Sequence, residues 1–255
     1  MCRHFAYLGP PATLRELIID PPTGLATQAW SPRQQRHGTM NVDGFGTGWY
    51  ADGDPVPARY RRAGPIWADP CFADVARVTR SRAVLAAVRS ATEGCEAGDA
   101  AAAPFGSGQW LFSHNGRLNE WPAGTTALAV TLPPADLLGL EARSDSALAW
   151  ALVASRLRAG ASPPDALADV IAELAAHQIT GRFNFLLTDG LMIAATAMGD
   201  TLHYRLAGGS VTVASEPTGP GPGWTEISDH TLLTATSDGV ELTPLPTSPE
   251  RNTAR

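Results

Sequence analysis

Met1 is followed directly by Cys2. Methionine before a small residue is commonly trimmed, so the mature chain is expected to begin with a cysteine that carries its own α-amine. Such a residue holds a nucleophile and a base together. An α-amino group titrates near about 7.7–8.0, so much of it is neutral at physiological pH. It can take the thiol proton directly or through one water, the nucleophile–base pairing of covalent catalysis.

Three later segments carry complementary chemistry. Val88-Arg89-Ser90-Ala91-Thr92 ends an apolar strand, and an arginine there suits bidentate capture of a carboxylate. Ser113-His114-Asn115-Gly116 follows another apolar run. The Asn115 amide beside the Gly116 N–H is the pair of neutral donors that an oxyanion hole requires. Ser144-Asp145-Ser146 opens a helix, where Asp145 can offer a carboxylate to a ligand ammonium. Each also has a plainer reading: a surface arginine closing a strand, an Asn-Gly hairpin turn, and a helix N-cap. A Cys–His pair using Cys71 or Cys95 with His114 stays open, although neither cysteine has a recognisable nucleophile setting.

The elements that must position these groups read as α+β. Strands are expected at Cys2–Leu8, Gly44–Tyr50, Ala58–Arg61, Ala83–Arg89 and Trp110–His114, with a helix at Pro70–Thr79. Two helices follow. One starts at Ser144–Asp145 with Leu148, Ala151, Leu152 and Leu157 on one side. The other follows Pro163–Pro164, with Leu167, Val170, Ile171 and Leu174 at helical spacing. From Arg182 the pattern is strand: Phe183–Leu187, Met192–Thr196, Leu202–Arg205 and Val211–Ala214. Turn signals at Asp189–Gly190, Gly208–Gly209 and Asp238–Gly239 make these hairpins. The glycines of Asn41–Trp49 do not match a dinucleotide fingerprint, and are expected to let a strand pass close beneath a site.

Composition excludes other chemistries. All 19 basic residues are arginines, which rules out a Schiff-base lysine and a Walker-type lysine. A net charge of −6 argues against nucleic acid or an anionic membrane as the main partner. No apolar run approaches the roughly 20 residues that span a bilayer. Cys2, Cys71 and Cys95 form no C-x-x-C pair, and Cys2-x-His4 is the only close Cys/His pair. A reducing cytoplasm is therefore expected, with no metal, no cofactor and no obligatory protein partner.

Taken in order, Cys2, the R-S-A-T segment, the H-N-G segment and the S-D-S helix start resemble the class II glutamine amidotransferases, a branch of the N-terminal nucleophile hydrolases. The resemblance implies a four-layer αββα sandwich of two antiparallel sheets over residues 1–245, leaving 246–255 as a flexible tail. It implies Cys2 as nucleophile and Asn115 with Gly116 as oxyanion hole. Arg89 would bind a glutamyl α-carboxylate and Asp145 its α-ammonium, with Thr92 helping to seat the same glutamyl head. Thr92-Glu93-Gly94 departs from the family's usual Thr-His-Gly, and no synthase domain follows to accept ammonia. Within the family, Met1-Cys2-Arg3-His4, Asp20-Pro21-Pro22, Gln35-Arg36-His37-Gly38 and Ala214-Ser215-Glu216-Pro217 are similar to the stand-alone γ-glutamyl hydrolases of ergothioneine biosynthesis. That similarity implies hydrolysis of γ-glutamyl-hercynylcysteine sulfoxide. The leaving amine would carry a trimethylammonium group, for which Trp30, Trp49 and Trp67 are candidate aromatic faces. A glutaminase subunit serving a separate synthase, and a non-catalytic glutamyl-binding module, are the alternatives.

Overall fold

The computed structural model describes residues 2–119 and 121–245; Met1 and the expected tail at 246–255 lie outside the described residues. The first strand, β1 (Arg3–Thr13), alternates its side chains between two cores. Phe5 and Tyr7 enter one and Ala6 and Leu8 the other, as the two-residue period of a strand dictates.

Strands β2 (Gly44–Trp49), β3 (Ala58–Arg62) and β4 (Arg80–Arg89) join β1, and β5 (Phe105–Ser107), β6 (Trp110–Leu118) and β7 (Gly181–Thr188) follow. The remaining strands are β8 (Ile193–Ala197), β9 (His203–Ala207), β10 (Ser210–Ala214), β11 (Trp224–Glu226), β12 (Thr231–Thr236) and β13 (Gly239–Pro244). They build two antiparallel sheets, ordered β11-β9-β10-β1-β4-β2-β3 and β13-β12-β8-β7-β6-β5. The sheets face each other through Ala6, Leu85, Leu111, Leu186, Val213 and Leu233, all buried. On the outer face of the first sheet, α1 (Leu14–Ile18), α2 (Leu25–Gln28) and α3 (Pro70–Val78) pack Leu14, Ile18, Leu25 and Phe72 onto Phe5, Phe45, Val84 and Val88.

Between the sheet-forming segments lie two short helices, α4 (Thr126–Ala129) and α5 (Pro134–Leu138). The outer face of the second sheet is covered by α6 (Asp145–Arg158) and α7 (Pro163–Ala176). The result is the expected αββα sandwich.

Local sequence explains where these elements begin. Asp69 caps α3 through Cys71 N and Phe72 N, with Pro70 at the first helical position. A capping box between Thr13 and Glu16, unmarked by the sequence reading, starts α1. Helix α6 departs from the expected one-sided pattern: Ala147–Ala154 are buried all round, because the helix is enclosed by α5, α7 and the sheet. The β2 glycines allow close approach. A Cβ on Gly46 would lie 2.4 Å from Ala103 O, and one on Gly48 would lie 2.6 Å from Leu111 Cδ1. Gly44 pairs with Arg89 at the end of β4.

Phe112 anchors the layer between that sheet and α6, its ring 5.4 Å from Trp150 and 5.3 Å from Phe185. Phe112→Ala should cost about 3–5 kcal/mol of unfolding free energy. Urea denaturation checks this, and a loss below about 1 kcal/mol would contradict the packing described.

Candidate active site

β1 and β6 belong to opposite sheets, yet Cys2, just before β1, meets the inside of β6. The Cys2 backbone N–H donates to Asn115 Oδ1 at 3.2 Å. Asn115 is fully buried and lies inside β6, opposite Asn184 of β7. The Asn-Gly pair is therefore not a hairpin turn. At Gly116 an added Cβ would lie 1.9 Å from Arg182 O, so the neighbouring strand itself demands glycine there. The Asn115 Nδ2 group donates to Ser215 Oγ at 3.3 Å. A carboxamide nitrogen has two N–H bonds, so this contact occupies one of them.

Two buried imidazoles flank this junction. His4 Nδ1 is 3.1 Å from Ser113 Oγ, and its backbone N–H donates to Ser215 Oγ at 3.0 Å. Burial drives the His4 pKa well below its ordinary value, helped by His114 and Arg3. Burial likewise lowers that of His114, opposed chiefly by Asp145. Both rings are thus held neutral at neutral pH. His114 Nε2 donates to Arg182 O at 2.8 Å, and Nδ1 sits 3.1 Å from Ser146 Oγ. With both ring nitrogens engaged, His114 makes no base for Cys71 or Cys95. Cys71 is exposed at the start of α3.

Arg89 ends β4 next to Ser90, whose carbonyl oxygen is 3.9 Å from Cys2 Sγ. The Arg89 side chain is only 8% exposed. Its Nη2 donates to Glu96 O at 2.9 Å, whereas Nη1 is buried with no hydrogen-bond partner. A buried cationic N–H without an acceptor is costly, and a bound carboxylate is the group that would satisfy it. Asp43 fixes this segment: it accepts from Ala91 N at 2.7 Å and its own N–H donates to Arg89 O at 2.9 Å.

The 92–96 loop returns to the start of α6. Glu96 N–H donates to Arg143 O at 2.9 Å, and Arg143 N–H donates back to the Glu96 carboxylate at 2.8 Å. Ser144 is the N-cap, accepting from Ala147 N at 3.1 Å. Asp145 is therefore released from capping and lies 3% exposed at the first helical position. Its Oδ2 accepts from Leu118 N at 3.0 Å, and its Oδ1 accepts from Ser146 N at 2.8 Å. Cys95 Sγ lies 3.5 Å from the same Oδ1. Burial and the Asp145 charge push the Cys95 thiol up to about 11, so it remains protonated.

A cavity of about 310 Å3 opens between this loop and β6, lined by Thr92, Glu93, Gly94, Arg117, Leu118 and Trp121. Thr92 thus borders the same space as Leu118, the residue that holds Asp145. Trp121 was not singled out by sequence. Trp30 and Trp67 are largely exposed, while Trp49 packs against the helix-side core. Among the described residues, no group of three or more His, Cys, Asp or Glu is placed to hold a metal ion. No described helix is long and apolar enough to cross a membrane.

Ser215 is the main residue that motif reading passed over, although it lies in the quoted Ala214–Pro217 segment. Its signal was positional and invisible in sequence: β10 pairs with β1, placing it beside His4.

Comparison with known proteins agrees with this geometry. Residues 16–207 match the family model for class II glutamine amidotransferases. The chain is 42% identical to the γ-glutamyl-hercynylcysteine sulfoxide hydrolase of Mycolicibacterium smegmatis, over 96% of this chain and 100% of that one. It is 39% identical to the protein of the same name from Mycobacterium tuberculosis, over 96% of this chain and 97% of that one. Among solved structures, a glutamine aminotransferase class-II domain protein from Silicibacter pomeroyi superposes with a TM-score of 0.72 at 25% identity. That match covers 96% of this chain and 100% of the other. The phosphoribosylpyrophosphate amidotransferase of B. subtilis shares the fold, with a TM-score of 0.67 at 16% identity over 96% of this chain and 49% of that one. A γ-glutamyl chemistry recurs in relatives of nearly full length, and the sandwich recurs in solved structures, so the chain belongs to the class II glutamine amidotransferase family.

Proposed function

We propose that this chain hydrolyses a γ-glutamyl amide, with Cys2 as nucleophile after removal of Met1. The substrate is γ-glutamyl-hercynylcysteine sulfoxide, cleaved to glutamate and hercynylcysteine sulfoxide. Residues 1–245 act as one amidohydrolase domain, with 246–255 as a tail. The observation that carries the reading is the contact between the Cys2 nitrogen and the Asn115 carboxamide. It places the nitrogen that would become the α-amine beside an oxyanion-hole candidate. The two long relatives that bear the name of that hydrolase support the choice of substrate.

In this reading the neutral α-amine accepts the Cys2 thiol proton, and sulfur attacks the γ-carbonyl carbon. The second Nδ2–H of Asn115 and the Gly116 N–H stabilise the oxyanion. When the C–N bond breaks, the leaving amine takes the proton from the α-ammonium. Water, deprotonated by the same α-amine, then cleaves the γ-glutamyl thioester and restores the thiol. Arg89 receives the α-carboxylate through its unpartnered Nη1, and Thr92, which lines the cavity beside Leu118, helps to seat the glutamyl head. Asp145, free of capping duty, receives the α-ammonium.

Activity should require loss of Met1, because an internal Cys2 nitrogen is a non-basic amide. A preparation shown by mass spectrometry to retain Met1 entirely, yet turning over at the full rate, would refute the mechanism. In the mature enzyme the rate should fall as pH drops below about 8, through the titration of the α-amine.

Asn115→Ala should lower kcat by roughly 10²–10³-fold with KM little changed. A change confined to KM would make Asn115 a framework residue instead.

Asp145→Asn should lower kcat/KM at least about tenfold on the γ-glutamyl substrate, equal to about 1.4 kcal/mol. A substrate analogue lacking the α-amine should lose far less. Equal losses on both would assign Asp145 to the fold. A screen of free glutamine against γ-glutamyl sulfoxide amides tests the substrate: the account expects the sulfoxide amide to be preferred, and good turnover of glutamine alone would favour a glutaminase.

A further inference from the structure

We propose that Ser215 is a positioning residue that holds one Nδ2–H of the Asn115 carboxamide so that the other is presented to the substrate. The proposal rests on the hydrolase reading above, in which Asn115 stabilises the oxyanion.

Ser215 follows β10 directly and is completely buried. It is fixed to His4 from both directions: its backbone N–H donates to His4 O at 2.9 Å, and its Oγ accepts from His4 N at 3.0 Å. A third contact from Thr201 Oγ to Ser215 O, at 2.8 Å, ties it to the 198–202 segment. The hydroxyl oxygen thus stands at a place dictated by backbone two residues from the nucleophile. Asn115 Nδ2 reaches that oxygen at 3.3 Å.

The consequence follows from donor and acceptor arithmetic. A carboxamide has an oxygen end that only accepts and a nitrogen end that only donates. The nitrogen of Cys2 needs an acceptor and finds Oδ1. That contact fixes the oxygen end, and the Ser215 oxygen accepts from the nitrogen end on the opposite side. Together they hold the amide plane from both ends, leaving a single Nδ2–H unspent. That is the donor an oxyanion would use. Without Ser215 the nitrogen end loses its protein partner and is free to rotate, so the donor is no longer preorganised at the moment charge develops.

The test is a double-mutant cycle between Ser215 and Asn115, with Ser215→Thr as the variant that keeps the hydroxyl. Ser215→Ala should lower kcat for a γ-glutamyl amide by about tenfold or more, with KM within about threefold of the parent. In an Asn115→Ala background the same change should cost less than about twofold, because the group it positions is gone. Ser215→Thr should retain most of the activity. A merely structural role would instead give full, additive losses in both backgrounds. Independently of any substrate, the side-chain amide resonance of Asn115, assigned by its disappearance in Asn115→Ala, should shift and exchange faster with solvent in Ser215→Ala. An unchanged resonance, or additivity in the cycle, would overturn the proposal. Failure of the wild-type protein to cleave any γ-glutamyl amide would remove the hydrolase reading, while the resonance would still decide whether Ser215 orients Asn115.

Discussion

The two halves of this sandwich meet, at the point where its chemistry is expected, through the hydrogen bond from Cys2 N–H to the Asn115 carboxamide. Cys2 leads into an inner strand of one sheet, and Asn115 lies on a strand of the other. The bond can form only if both sheets stack in the observed register. That stacking in turn depends on the apolar layer of Leu85, Leu111, Leu186 and Val213, since burial of apolar surface is the main favourable term available. The packing of the whole domain therefore fixes the distance between Cys2 and the Asn115 amide. The same register places the Arg182 carbonyl against Gly116, so the framework also dictates the residue type at the candidate oxyanion hole.

Around this junction, charge is arranged by backbone contacts more than by ion pairs. Asp145 is held by two backbone N–H groups, and Arg89 by one backbone carbonyl. Each keeps a defined position without consuming the other's charge. The loop carrying Thr92–Glu96 links the two, resting on Arg143 at one end and on Asp43 at the other. Arg3, by contrast, lies buried next to Cys2 in the chain with Asp200 3.8 Å away, so these buried charges belong to the framework.

The α+β class was legible because apolar runs such as Ala83–Arg89 and Phe183–Leu187 read as strands, whereas the order of the four layers came from the family resemblance. The helices of the second outer layer were legible from Ser144, Pro163 and Pro164. Other features were not. Short α1 depends on the Thr13–Glu16 box, and the near-total burial of α6 depends on neighbours distant in sequence. The Asn115–Gly116 pair illustrates the limit most clearly: the dipeptide has the composition of a turn, and only its place inside β6 removes that reading. The choice of N-cap between Ser144 and Asp145 was open in a similar way, and only the contact from Ala147 N to Ser144 Oγ decides it. Ser215 needed the strand pairing itself, for a serine after a hairpin strand carries no mark of proximity to residue 4.

The central claim is that the first cysteine becomes covalently acylated by a γ-glutamyl group. Rapid quenching during steady turnover of γ-glutamyl-hercynylcysteine sulfoxide, followed by intact-mass and peptide mass spectrometry, tests it most directly. The account predicts one added glutamyl unit, located on the peptide that begins with Cys2 and removed by mild thioester cleavage. Turnover with no adduct even under conditions that slow deacylation, or an adduct located on Cys71 or Cys95, would contradict it.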